Sequence, residues 1–168
     1  MRYDFEHYLM AGHGRAYMIA KSDPEKYRDR IIEICRDDYS YDLQSEGSRA
    51  WLTYDLISLY EDQEPFLAAI KESYSDPSTD TNWERIQYLT DLLLMYDRKV
   101  VFAKYKEVEK QIHAEKPLDE IHDLLQSFEY LAISLIQNHG IKVLGSVMRD
   151  IGRWFLTRNP ETGMDSEV

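Results

Sequence analysis

Residues 45–62, SEGSRAWLTYDLISLYED, decide how the rest of the chain is read. Ser45 stands where a helix cap stands, and Trp51, Leu52, Leu56, Leu59 and Tyr60 follow as a dense apolar stripe. Glu61 and Asp62 then break it. The same grammar occurs once before this stretch and once after it, which makes it the first half of a repeated helical hairpin.

Sliding the chain by 36 positions sets Arg49 on Arg85, Asp55 on Asp91, Leu56 on Leu92, Tyr60 on Tyr96 and Phe66 on Phe102. Ile57 meets Leu93, Leu59 meets Met95, and Glu61 meets Asp97. These matches cross two helices and the turn between them. A weaker copy lies upstream: GRAYM, residues 14–18, matches SRAWL, residues 48–52, at a shift of 34. After a gap, Tyr27 and Ile31 then fall on Phe66 and Ile70.

Taken in order, residues 4–21 form a helical pattern in which Gly12 and Gly14, flanking His13, predict either a break near 11–14 or a helix held together by tertiary contacts. Ser22 or Asp23 caps a helix that opens with Pro24 and carries Tyr27, Ile31, Ile32 and Cys35 to about Arg36. DDYSYD, residues 37–42, is a polar connection. The central helix spans about 45–60. Gln63, Glu64 and Pro65 open the next, with Phe66, Leu67, Ile70 and Tyr74 inward. DPSTDTN, residues 76–82, is a loop in which Asp80 or Thr81 caps the following helix. That helix carries Trp83, Ile86, Tyr88, Leu89, Leu92, Leu93 and Tyr96 on its apolar side. Its partner, about 99–113, has Val101, Phe102, Tyr105, Val108 and Ile112 inward, and alternating Lys and Glu predict a solvated outer face. Residues 118–138 and about 141–157 make a last pair, separated by Gly140; Gly145 and Gly152 on the final helix invite close approach of a neighbour. Period-two alternation does not occur over a useful length, so no sheet is expected.

A helix–turn–helix period in the mid-thirties belongs to stacked hairpins, which bury their stripes only against each other. Over about residues 3–113 the pattern resembles the HEAT and armadillo class of α-solenoids. The likeness is to the class as a whole. Arg49 precedes Asp55 and Arg85 precedes Asp91, whereas HEAT units usually place an Asp before an Arg in the second helix. The tetratricopeptide pattern is not met. The resemblance implies an all-α fold, a short right-handed superhelix of seven or eight helices in antiparallel hairpins. It would be one domain over 1–158, with repeats near 3–36, 45–75 and 81–113, a final pair at 117–157, and a tail at 159–168.

Composition limits the function classes. With 43% hydrophobic and 30% charged residues the chain reads as globular. No run of eighteen apolar residues predicts a membrane span, and MRYDFEHYLM lacks a signal-peptide core, so the cytoplasm is the simplest compartment. A net charge of −11 disfavours nucleic acid, which needs a basic surface. Residues 1–80 hold 9 basic and 17 acidic side chains, and residues 81–168 hold 11 and 14, so the N-terminal half is the more negative. That asymmetry suits a basic partner.

Catalytic and metal motifs are weak. Cys35 lies on an apolar stripe and reads as a buried small hydrophobe. Asp119 and His122 show a carboxylate-x-x-His spacing without the further motifs a di-iron bundle needs. Glu109 and His113 share a helix face at i and i+4, and GHG at 12–14 is too short for a phosphate loop. No cofactor is expected.

Tyrosine is the compositional outlier, at 13 residues. Tyr39, Tyr41 and Tyr54 sit beside acidic residues, and with Asp42, Glu46 and Asp55 they form the candidate surface for a basic protein or peptide. An inhibitor or immunity-type protein that neutralises a basic toxin is one version of this. The alternative is a pocket between hairpins in which Arg15, Arg49 and Arg85, equivalent by repeat, bind an anionic small molecule. Homo-oligomerisation through residues 141–157 is a third option.

Overall fold

The computed structural model describes residues 4–36, 46–114 and 118–139, together with Arg149. The fold is all-α, and no strand occurs among the described residues. The helices are α1 (Phe5–Ala11), α2 (His13–Ser22), α3 (Pro24–Cys35), α4 (Glu46–Ile57), α5 (Glu64–Ser75), α6 (Trp83–Tyr96), α7 (Arg98–His113) and α8 (Leu118–His139). The last hairpin partner, 141–157, the stop at Gly140 and the tail lie outside the described residues.

Helix ends follow local chemistry. Asp4 and Asp23 accept the backbone N–H groups of His7 and Lys26, which caps α1 and α3. The break near 11–14 falls at Gly12: its N–H donates to the Tyr8 carbonyl at 2.9 Å, and its own carbonyl starts α2 by accepting from Arg15 and Ala16. The cap of α6 corrects the sequence expectation. Asn82, not Asp80 or Thr81, accepts the Arg85 N–H at 3.1 Å.

Asp80 is buried instead, at 1% exposure, beside Lys104 at 3%. The Lys104 ammonium lies 2.8 Å from Asp80 Oδ1, 3.3 Å from Glu107, and over the Tyr74 ring; Gln111 Nε2 donates to Asp80 Oδ2. Lys104 therefore departs from the expected solvated face of α7. A loop carboxylate taken from water needs a cation, and α7 supplies it.

The packing runs in layers. α2 packs on α4, α4 on α6, and α6 on α8; α3 packs on α5 behind them, and α7 packs on α6 and α8. The core lies between, with Ala16, Ile31, Leu56, Ile57, Phe66, Ile70, Leu89, Leu92, Leu93, Val101, Tyr105 and Leu135 among its buried members. Positions matched by the 36-residue shift agree in burial at two core pairs of α4 and α6. Leu56 and Leu92 are fully buried, as are Ile57 and Leu93. Tyr60, by contrast, lies beyond the end of α4 and donates to the Pro24 carbonyl, whereas Tyr96 ends α6 with its hydroxyl unpartnered among the described residues. Matched positions also diverge in the second helix: Phe66 is fully buried against α3, while Phe102 on α7 is 41% exposed. α5 has α3 to lean on, whereas α7 leans on α6 and α8.

Tyrosines tie the layers together. The Tyr88 hydroxyl, on α6, donates to the Ile34 carbonyl of α3 at 2.8 Å and lies 2.9 Å from Thr53 Oγ1 of α4. Tyr74 reaches Thr90 at 2.9 Å, and Tyr60 donates to the Pro24 carbonyl at 2.7 Å. Burial, helped by Glu25 and opposed by Arg28, pushes the Tyr60 phenol up to about 12; burial pushes Tyr74 and Tyr96 up as well.

Two expectations follow. The unfolded chain ionises its tyrosines near pH 10, while these folded tyrosines keep their protons, so stability is intact below pH 10 and falls as pH rises from 10 toward 12 and beyond. Tyrosinate absorbance should show a subset of phenols titrating only with the loss of helical circular dichroism, and Tyr60→Phe should flatten part of the stability loss. Separately, Asp80→Ala should cost about 3–5 kcal/mol in urea denaturation, because it removes the buried carboxylate from a buried ammonium and leaves it, among the described residues, only the exposed Glu107. Combining Asp80→Asn with Lys104→Met should recover most of that.

Candidate functional site

The outer face of the α4/α6 step carries an open groove of about 1000 Å³. Ala50, Trp51 and Tyr54 of α4 form one wall; Asp91, Leu94, Met95 and Tyr96 of α6 form the other, and Asp97, Arg98 and Lys99 close one end. Trp51 is 58% exposed, so the sequence assignment of this residue to the inner stripe is corrected. The reason is helical phase: Leu52 and Leu56 point into the core, and Trp51 lies about 100° round the helix from Leu52. Trp51 meets Tyr54 edge-on, with ring centroids 6.0 Å apart, and Tyr54 lies against Tyr96 at 5.4 Å. Three aromatic rings thus line the groove from its open rim to its inner wall. The Tyr96 hydroxyl is buried and meets no hydrogen-bond partner among the described residues.

Charge around the groove is of both signs. Asp91 accepts from the Tyr130 hydroxyl at 2.7 Å, and Asp97 pairs with Lys71 at 3.2 Å. Next to Tyr54, Asp55 turns to α2 and meets His13 Nε2 at 2.8 Å. Tyr54 and Asp55 are therefore adjacent in sequence and different in role: one lines the groove, and the other ties α4 to α2. Glu46 is the first residue of α4, and its side chain is outside the described set. Tyr39, Tyr41 and Asp42 lie outside the described residues.

The three arginines that the sequence shifts align have separate surroundings. Arg15 is exposed, sits over the Tyr8 ring and donates to its hydroxyl at 3.3 Å. Arg85 directs its guanidinium to Ser73 Oγ and Ser78 Oγ, each at 3.4 Å. Arg49 is half-buried on α4. None of the three lines the groove.

A second, smaller opening lies between α6 and α8, lined by Trp83, Gln87, Gln126, Glu129, Tyr130 and Ile133. Trp83 is 38% exposed, which corrects its placement in the core stripe. Sequence reasoning did not single out this set. Its trace was present: Trp83, Gln87, Asp91 and Leu94 recur at intervals of four, four and three, one stripe of α6, opposite the side that carries the fully buried Leu89 and Leu93.

Among the described residues no group of three or more His, Cys, Asp or Glu side chains could hold a metal ion, and no helix is long and apolar enough to cross a membrane. His122 contacts Asp123 at 3.3 Å, and His113 lies 3.9 Å from Glu109. Cys35 is fully buried, and burial pushes its thiol above the usual range. No protein-family model matches the chain, and neither a curated protein nor a solved structure is detectably similar to it.

The groove residues should separate by stability. Trp51→Ala should change the unfolding free energy by no more than about 0.5 kcal/mol, since most of the ring is in water. Tyr96→Phe should be neutral or stabilising by up to about 1 kcal/mol, because it removes a buried hydroxyl that lacks a partner. Urea denaturation followed by circular dichroism checks both; a loss above about 1 kcal/mol for Tyr96→Phe would reveal a hydrogen bond made by that hydroxyl.

Proposed function

We propose that this protein is a helical binding module whose α4/α6 groove takes up a basic, amphipathic segment of another protein. The observation that carries this is Trp51: a tryptophan 58% exposed on a folded helix, backed by Tyr54 and Tyr96, along a groove of about 1000 Å³. Exposed aromatics grouped in a concave surface are the usual anchors of protein interfaces. Leu94 and Met95 on the facing wall offer apolar contact, and methionine adapts to varied side chains. The net charge of −11 supports a basic occupant and predicts salt-sensitive association. Arg98 and Lys99 at one end leave room for a polar or acidic group at one terminus of that segment.

A pocket for an anionic small molecule built from Arg15, Arg49 and Arg85 has less in its favour. Arg15 is engaged with Tyr8 and Arg85 with two serines, and neither opening is lined by these residues.

The test is selection of peptides from a random library on the immobilised full chain. Enriched peptides should carry Lys or Arg together with apolar residues at i, i+3 and i+4 spacing. Their affinity should fall at least about tenfold for Trp51→Ala, a hot-spot effect, and should fall again at high salt. Peptides that lack a basic bias, or that bind Trp51→Ala as tightly as the parent, would overturn the proposal.

A further inference from the structure

The notch between α6 and α8 has a different chemistry from the larger groove. The described residues that line it are Trp83, Tyr130, Ile133, Gln87, Gln126 and Glu129: two aromatics, one aliphatic, two amides and one acid. Among the described residues no basic side chain lines it. The arginine nearest in sequence to Trp83, Arg85, sends its guanidinium away to Ser73 and Ser78. Tyr130 is fixed in place by its bond to Asp91, so its ring is held as part of the wall. The volume, about 310 Å³, stands at the small end of ligand sites, enough for one head group and too small for a helix.

These features select for positive charge. Aromatic faces carry the negative side of the ring quadrupole, the amide oxygens are acceptors, and Glu129 supplies a full negative charge. An anion would meet the Glu129 carboxylate with only neutral donors, the glutamine amides and the Trp83 indole N–H, and no full positive charge among the described lining residues to offset it. A neutral apolar group would gain nothing from the Glu129 charge. The positive end of the α6 dipole opposes a cation near Trp83, and the exposed Glu84 in the first turn offsets it.

We infer that this notch receives a single organic cation, the ammonium or guanidinium head of a lysine or arginine side chain presented by a partner. It is separate from the α4/α6 groove, and each opening has its own tryptophan, so the two can succeed or fail independently.

The experiment uses the ¹⁵N-labelled full chain and tetramethylammonium chloride, with sodium chloride at matched ionic strength as reference. The indole N–H resonance of Trp83, assigned by its loss in Trp83→Phe, should move saturably with tetramethylammonium and stay still with sodium, while the Trp51 resonance does not move. N-acetylargininamide should move the Trp83 resonance in the same saturable way. Glu129→Gln should weaken binding at least about threefold, and Ile133→Lys, which plants a cation at the rim of the notch, should weaken it further. Both positions are exposed, so circular dichroism should stay that of the parent. A Trp83 resonance that stays fixed, that moves equally with sodium, or that responds alike in the parent and both variants would overturn the inference.

Discussion

Four helices press on α6: α4 and α8 flank it, α5 packs behind it, and α7 folds back onto it. Ile86, Tyr88, Leu89, Thr90, Leu92 and Leu93 are all buried in consequence. A helix enclosed over so much of its circumference has one stripe left for solvent. On α6 that stripe is Trp83, Gln87, Asp91 and Leu94, and both openings lie along it. The hydrogen bond from Tyr130 to Asp91 joins a residue that lines the notch to one that lines the groove. The two openings are thus set by how completely the core encloses this one helix.

The polar groups that enclosure buries need partners, and tyrosine supplies many of them. A tyrosine ring fills core volume as phenylalanine does, and its hydroxyl can reach a neighbouring helix. Tyr60, Tyr74, Tyr88 and Tyr130 each do this, to a carbonyl, a threonine or a carboxylate. Asp80 and Lys104 solve the same problem with charge, fastening the loop before α6 to the middle of α7. Tyr96 differs from these tyrosines: its hydroxyl is buried without a described partner, on the wall of the groove. The richness in tyrosine therefore divides between internal ties and groove lining, and composition alone could not divide it.

The acidic charge and the exposed aromatic rings combine into one picture of recognition. The proposed attraction of a basic partner rests on net charge, which needs no particular arrangement. In the proposed recognition, Trp51 and Tyr54 of the groove and Trp83 with Glu129 of the notch are the residues that would supply specificity. Of the residues that sequence reasoning placed in a candidate surface, Tyr54 lines the groove and Asp55 pairs with His13 instead. Trp51 and Trp83 read as core because apolar residues at helical spacing are core by default. Their exposure depends on which side of each helix its neighbours occupy.

The amino-acid order by itself determined the helices, a weak point at Gly12 and Gly14, a cap at Ser22 or Asp23 before α3, and the burial of Leu56, Leu92 and their neighbours. Those features arise from interactions within a few residues, or from an apolar period that any packing partner would satisfy. Tertiary structure alone decided that Asp80 would be paired inside rather than cap α6, that Lys104 would be buried, and that Phe66 and Phe102, matched by the repeat, would part company. It also decided which tryptophans face water. Each of these depends on groups tens of residues apart meeting in space: α5 has α3 beside it and α7 lies against α8, and no local pattern encodes which neighbour a helix will find.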